Sequence, residues 1–372
     1  MQIRIVSRVI LCVLLLASLV SPVKVEAGKT PKSLVKIGVL ATLTGSGFSL
    51  GRNTVAALQI AAADIQNIHP QYNPVRYRFL IRDTQHDPSL ALNAIQDLHA
   101  RGVKIIIGPQ TSSEVAMIKP FADAHDMLVI SQGSTASSLA IPGDNILRFC
   151  PNDRREAEAL VALLQHDGIR AIVPLWRNDA GNNGLHDSVK IRFQALGGRV
   201  TSGFRYETNT SNFSAATNAV ASQIGTLIGS GINPSAVAVY LAAFDEAVDI
   251  FHSAEANSTL ANTAWYGSDG VALSAALTGD SNAAGFALSA YDALFVVNLA
   301  LQRPKPLKNF DRFKAEFIEE AEHYRGVTGS TALDAAGDRE TGDFDFWAVR
   351  LRNGSYKWVR VATYSNGMLT VF

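Results

Sequence analysis

Apolar and polar positions follow a repeating plan along this chain. Short apolar runs at Val35–Leu43, Tyr77–Arg82, Ile105–Ile107 and Met127–Ser131 have the length and bounding residues of buried strands. Between them, apolar side chains recur at helical spacing over about Arg52–Asn67 (Val55, Leu58, Ala62 and Ile65 on one face), Asp87–Arg101 and Ser112 to about His125. Strict β-α-β-α order with short joints and continuously apolar strands predicts a parallel, doubly wound sheet. A short strand at Ile146–Phe149 follows, and a second alternation then begins. It comprises the helix Arg154–Gln165, strand Ala171–Leu175, helix about Leu185–Ala195, strand Arg199–Tyr206, helix about Asn212–Ile228, strand Ala236–Leu241, a helix to about Glu255 and strand Ala264–Tyr266. In the tail, Ser289–Leu301 and Phe310–Tyr324 read as helices, and Asp343–Arg352 with Tyr356–Tyr364 as a hairpin turning at Asn353-Gly354. The expected fold class is therefore α/β, with two doubly wound parallel-sheet lobes.

The polar residues gather where strands end. After Ile105–Ile107 comes Gly108-Pro109-Gln110-Thr111-Ser112-Ser113, and Ser112 or Ser113 is placed to cap the next helix. After Met127–Ser131 comes Gln132-Gly133-Ser134-Thr135-Ala136-Ser137-Ser138. In a doubly wound sheet the carboxyl ends of the strands at the switch point form the binding crevice. A helix start there offers free N–H groups and a positive dipole end, and small hydroxyl side chains admit an anion. The two clusters together point to a small ligand's carboxylate; plain helix capping is the competing reading, because caps use the same residues. The second alternation presents Trp176, Phe244 and Asp269 at its strand ends. Asp269 has its own competing reading as a helix cap.

Composition adds limits. A chain of 372 residues, 47% hydrophobic and 18% charged, is long enough for two globular domains. Arg4 and Arg8, the apolar run Val9–Val20 and the Val25-Glu26-Ala27 site form a signal-peptide pattern, so residues 1–27 are expected to be a cleaved leader. That run is shorter than the roughly 20 residues needed to span a bilayer. Cys12, preceded by the bulky Leu11, does not read as a lipid site. With 33 basic and 33 acidic residues and no basic tract, nucleic acid is not an expected partner. Without the leader one cysteine remains, Cys150, so no internal disulfide is expected. The histidines lack metal-ligand spacing. The turn Gly45-Ser46-Gly47-Phe48-Ser49-Leu50-Gly51 is one residue too long for a dinucleotide fingerprint, and no cofactor is expected. HExxH and P-loop motifs are absent, which argues against an enzyme.

KIGVLATLTGSGFSLG, IIIGPQTSS, VISQGSTASS, ILRFCPND, YGSDG, AYDALFVVNLAL and GVTGSTALDAAGDR occur in an order that resembles the periplasmic solute-binding proteins of ABC transporters, in the branched-chain amino acid receptor group. The resemblance spans Lys36 to about Gly354. It implies a type I periplasmic binding fold: residues 28–152 plus about 285–332 as lobe 1, and 153–284 plus about 333–372 as lobe 2, closing on a ligand like a flytrap. It implies an exported, periplasmic receptor that delivers an amino acid or related carboxylate to a membrane permease. By position in the motifs, Ser112, Gly133 and Thr135 would hold the carboxylate, with Ser134 beside them. Asp269 would pair the ammonium where leucine-type receptors have glutamate, Phe244 would replace a tyrosine, and Leu50 would take a first-loop aromatic position.

The chain departs from the family's pattern in two further places. Asp179-Ala180-Gly181-Asn182-Asn183-Gly184 stands where an aromatic-Gly pair is usual, which predicts a wider or more polar pocket. Asn282–Phe286 runs almost directly into the AYDA helix, so about 35–45 residues of a further strand and helix are missing, more than a usual loop difference. This predicts a shortened second lobe. A sensor feeding an amide or amino acid signal to a regulator, or a decayed copy that no longer closes, are the competing roles.

Overall fold

The computed structural model describes residues 33–45, 47–68, 75–278, 287–303 and 306–372. The expected leader and the junction at 279–286, where the shortening falls, lie outside the described residues. Lobe 1 is built from β1 (Ser33–Ala41), α1 (Phe48–Ile68), β2 (Val75–Asp83), α2 (Pro88–Ala100), β3 (Ile105–Ile107), α3 (Ser112–Ala124), β4 (Leu128–Ser131) and β5 (Ile146–Arg148). Its five strands are all parallel in the order β2-β1-β3-β4-β5. The order reverses beside β1, so the carboxyl ends of β1 and β3 flank the switch point.

Lobe 2 comprises α4 (Asp153–His166), β6 (Ala171–Arg177), α5 (Ala180–Ala195), β7 (Arg199–Val200), β8 (Phe204–Tyr206), α6 (Ser214–Gly229), β9 (Val237–Ala242), α7 (Ala247–Glu255), α8 (Ser258–Ala261), β10 (Ala264–Gly267) and α9 (Ala275–Thr278). Its parallel sheet runs β10-β9-β6-β7, and β8 also pairs with β6. The tail holds α10 (Ala287–Leu301), α11 (Phe310–His323), the short strands β11 (Arg325–Gly326) and β12 (Gly329–Ser330), and β13 (Phe344–Arg352), β14 (Ser355–Ser365) and β15 (Met368–Val371).

Both sheets are covered on both faces, which is why their strands are apolar without alternation. In lobe 1, Leu58 and Ile65 of α1 pack with Ile37, Val39, Ile105 and Ile107, and the opposite face meets Ile95, Leu98, Val115 and Ile118 of α2 and α3. Helices α10 and α11 come from far along the chain to complete the first of these layers with Leu294, Val297, Phe313 and Phe317. Helix α10 is apolar nearly all round because sheet, α1 and α11 surround it. Each fully buried side chain of this size contributes about 1.5–3 kcal/mol.

Three local differences from expectation have physical causes. The stretch Arg199–Tyr206 is two strands, because Gly203 takes a positive φ of 63° and an added Cβ there would lie 2.2 Å from the Pro174 carbonyl oxygen. The tail hairpin gains a third strand, turned by Asn366-Gly367, both at positive φ. Helix α5 begins at Ala180 rather than Leu185, with the Asp179 carboxylate accepting from the Asn182 N–H at 2.9 Å. The 179–184 stretch is therefore a helix start and not an open loop.

A buried ion pair ties the crossing segments together. The Arg148 guanidinium donates to both Asp338 oxygens, at 2.5 and 2.6 Å, with each side chain 1% exposed. Its remaining nitrogen donates to the carbonyls of Ser134 and Ala136, at 3.1 and 2.6 Å. The serine-rich turn is thereby anchored to a segment almost 200 positions downstream.

Candidate ligand-binding cleft

A small cavity of about 50 Å3 lies between the two lobes. Ser112, Gly133, Thr135 and Leu50 line it from lobe 1, and Phe244 and Asp269 from lobe 2. The lobes are closed over it. The Gly47 N–H donates to Asp245 Oδ2 at 2.9 Å, the Ala180 N–H donates to Ser113 Oγ at 3.2 Å, and the His86 ring meets Phe244 edge-on at 4.8 Å.

The helix start at α3 is capped by Thr111, which forms a capping box with Glu114, and not by Ser112 or Ser113. The capping reading of Ser112 is thus replaced by another role. Ser112 Oγ accepts from the Ala136 N–H and from Ser134 Oγ, both at 3.1 Å, which joins the two hydroxyl clusters side by side. The amides of Ser112 and Ser113, in the first turn, have no intrahelical acceptor and lie at the cavity end of the helix. Gly51 makes the approach of α1 possible, since an added Cβ would fall 1.9 Å from the Thr42 carbonyl oxygen.

Two expected site residues sit elsewhere. Ser134 is fully buried and does not line the cavity; it hydrogen-bonds Ser112 from behind. Trp176 points into the lobe 2 core, stacked 3.9 Å from the His186 ring with its Nε1 donating to Asn183 Oδ1 at 3.0 Å. The early start of α5 carries Asn183 and His186 over it and takes the indole away from the cleft.

The lobe 2 wall is acidic. Glu156 Oε1 accepts from the Asp269 N–H at 3.0 Å, and Asp269 Oδ1 accepts from the Gly270 N–H at 2.7 Å. No helix begins there, the next being α9 at Ala275, so Asp269 is not a helix cap. Burial raises the pKa of Asp269 and of Glu156, and the Asp269 charge raises Glu156 further. Burial, opposed by a hydrogen bond from Thr135, pushes Asp153 up to about 7, and its Oδ1 has no hydrogen-bond partner. Such a group of carboxyls is eased by an arriving cation. Arg177, pairing Asp179 at 3.0 Å and Glu246 at 3.4 Å, lies 5.5 Å from the Phe244 ring centroid and braces this wall.

The sequence motifs did not mark His86, Gln110, Asp153 or Glu156 as site residues, and marked Asp179 only as part of the 179–184 stretch. Asp153 and Glu156 open α4, where first-turn acids are ordinary; their signal is the three-residue spacing that sets both on its buried face. His86 takes a positive φ of 64° in the turn after β2, which sends its ring toward lobe 2.

Known proteins resemble this chain in sequence and in fold. The uncharacterized protein MJ1266 of Methanocaldococcus jannaschii is 24% identical over 71% of this chain, a match that spans 64% of that relative's length. The branched-chain amino acid transporter substrate-binding protein LivJ of Streptococcus pneumoniae, in complex with isoleucine, superposes with a TM-score of 0.67 at 17% identity, covering 88% of this chain and 100% of that one. A solute-binding protein of an ABC transporter from Rhodopseudomonas palustris BisB5, in complex with 3,4-dihydroxybenzoic acid, does so at 0.63 and 15%, covering 89% and 97%. These likenesses establish the type I periplasmic binding fold. The model of the receptor family ligand binding region matches residues 53–316, more than half of the chain, and the protein belongs to that family.

Proposed function

We propose that this protein binds a small zwitterion, an amino acid or a related carboxylate bearing a cationic group, between its lobes and hands it to the membrane permease of an ABC transporter. The observation that carries the reading is the cleft itself. Hydroxyl and amide donors at Ser112, Gly133 and Thr135 lie on one lobe, and the acidic wall at Asp269 lies on the other, around one cavity. A ligand whose two charges meet both lobes stabilises the closed form over the open one, which is what a flytrap receptor needs. A charge-assisted hydrogen bond in such a site is worth about 1.5–3 kcal/mol. LivJ with its isoleucine supports the class of ligand, and the signal-peptide pattern at residues 1–27 supports a periplasmic location.

A thermal-shift screen of the mature protein, residues 28–372, against amino acids and aromatic acids tests this. A ligand at 100-fold excess over its Kd should add about 2.7 kcal/mol of stability. Ser112→Ala and Thr135→Ala should each weaken a carboxylate-bearing hit, and Asp269→Asn should weaken only ligands with a cationic group. A hit indifferent to all three substitutions would remove the cleft from consideration.

A further inference from the structure

Two strand edges face each other across a second cavity. Among the described residues β10 pairs only with β9, so its outer edge is unpaired. Among the same residues β13 pairs only with β14 and likewise presents an open edge. Between them lies a cavity of about 840 Å3. Every residue from Asp343 to Arg350 lines it. Successive residues of a strand point to opposite faces, so β13 turns its edge, and not a face, toward the cavity. Opposite stand Trp265 and Gly267 of β10, followed by Ser268, which is 1% exposed and whose Oγ has no hydrogen-bond partner.

We propose that this slot takes an extended peptide segment of a partner protein, alternating apolar with basic residues, which pairs with β10 on one side and β13 on the other. Unpaired strand edges are templates for strand addition, because an added segment satisfies their free backbone donors and acceptors. β10 has four residues, which sets a segment of about four to five residues at roughly 3.3 Å each. Phe251, Trp265 and Leu277 give the slot an apolar wall for one face of the segment. The exposed carboxylates Glu255, Asp343 and Asp345, the last also 3.4 Å from Arg360, outnumber the cations Arg350 and Arg360 at its rim, which favours lysine or arginine on the other face.

The test uses the mature chain and a fluorescein-labelled peptide, acetyl-Lys-Val-Lys-Val-Lys-Val-amide, with anisotropy as the readout. Saturable binding is expected with a Kd below about 100 µM. The glutamate-for-lysine peptide, and the peptide N-methylated at alternate backbone amides, should each bind at least about tenfold more weakly. Amide exchange at 264–267 and 343–350 should slow when the peptide is present. Glu255→Lys combined with Asp345→Lys, both at exposed positions, should weaken binding about tenfold; the exchange experiment on the unaltered chain carries the test should that variant fold poorly. The proposal is overturned by no binding, by equal binding of the N-methylated peptide, or by exchange protection elsewhere. Thioflavin T bound saturably and not displaced by the peptide would assign the slot to a small aromatic cation instead. A dimer that protects the same amides without peptide would assign it to a second copy of this chain. Either result overturns the proposal.

Discussion

Replacing Asp338 by alanine leaves Arg148 charged, 1% exposed, and held by two carbonyl oxygens alone. Two charge-assisted bonds of 2.5 and 2.6 Å disappear, together with the Asn152 side-chain contact to Asp338 at 3.3 Å. Breaking a buried pair by removing one partner costs about 3–5 kcal/mol, because the surviving charge keeps its desolvation penalty. With a urea slope near 3 kcal/mol per M, the unfolding midpoint should fall by about 1–1.7 M. Equilibrium unfolding followed by tryptophan fluorescence and circular dichroism measures it. The double replacement Arg148→Met with Asp338→Leu removes both charges and should recover most of the loss. It should not recover ligand affinity, since the Ser134–Ala136 turn has lost the guanidinium that holds its carbonyls. A single variant within about 0.3 M of wild type, or a double variant as damaged as the single, would refute the reasoning.

Other perturbations test other parts. Asp153 has its pKa pushed up to about 7 from an ordinary 3.8, so the native state holds the extra proton. The sign follows: its favourable contribution is complete below about pH 4 and is lost as pH rises through 7, a swing on the order of 4 kcal/mol. Urea midpoints of the ligand-free protein should therefore rise between about pH 8 and pH 5.5, and Asp153→Asn should flatten that rise; an unchanged slope would exclude Asp153 as its source. Gly184→Ala would set a Cβ 2.2 Å from Asp153 Oδ2 within lobe 2, so it should displace that carboxylate from the Ser137 N–H, from which it accepts at 3.1 Å, and lower the urea midpoint; an unchanged midpoint would refute this. Phe317→Ala, at a fully buried position between α11 and the sheet, should cost about 3–5 kcal/mol in the same urea assay.

Much of the fold was legible because the sheets are buried on both faces. Runs such as Ile105–Ile107 and Met127–Ser131 admit few other readings, and Asn353-Gly354 marks its own turn. Where the outcome differed, the deciding contact lay far off in sequence. The break at Gly203 comes from the Pro174 carbonyl, the destination of Trp176 from Asn183 and His186 on a helix that starts early, and the role of Ser112 from the Ala136 amide. Of the candidate site, Ser112, Gly133, Thr135, Leu50, Phe244 and Asp269 line one cavity. The strand-end rule places them there without knowledge of side-chain packing. The carboxyls of Asp153 and Glu156 escaped notice because the groups that bury them are distant in sequence, Ser137 and Gly184 for the first and Asp269 for the second.

That α10 and α11 complete the hydrophobic layer begun by α1 bears on the order in which the polypeptide acquires structure. The first 150 residues emerge from the ribosome without Leu294, Val297, Phe313 and Phe317, and so with only α1 on one side of their own sheet. Contacts of such long sequence separation form slowly and late. Lobe 1 therefore cannot complete its core until α11, Phe310–His323, has been synthesised.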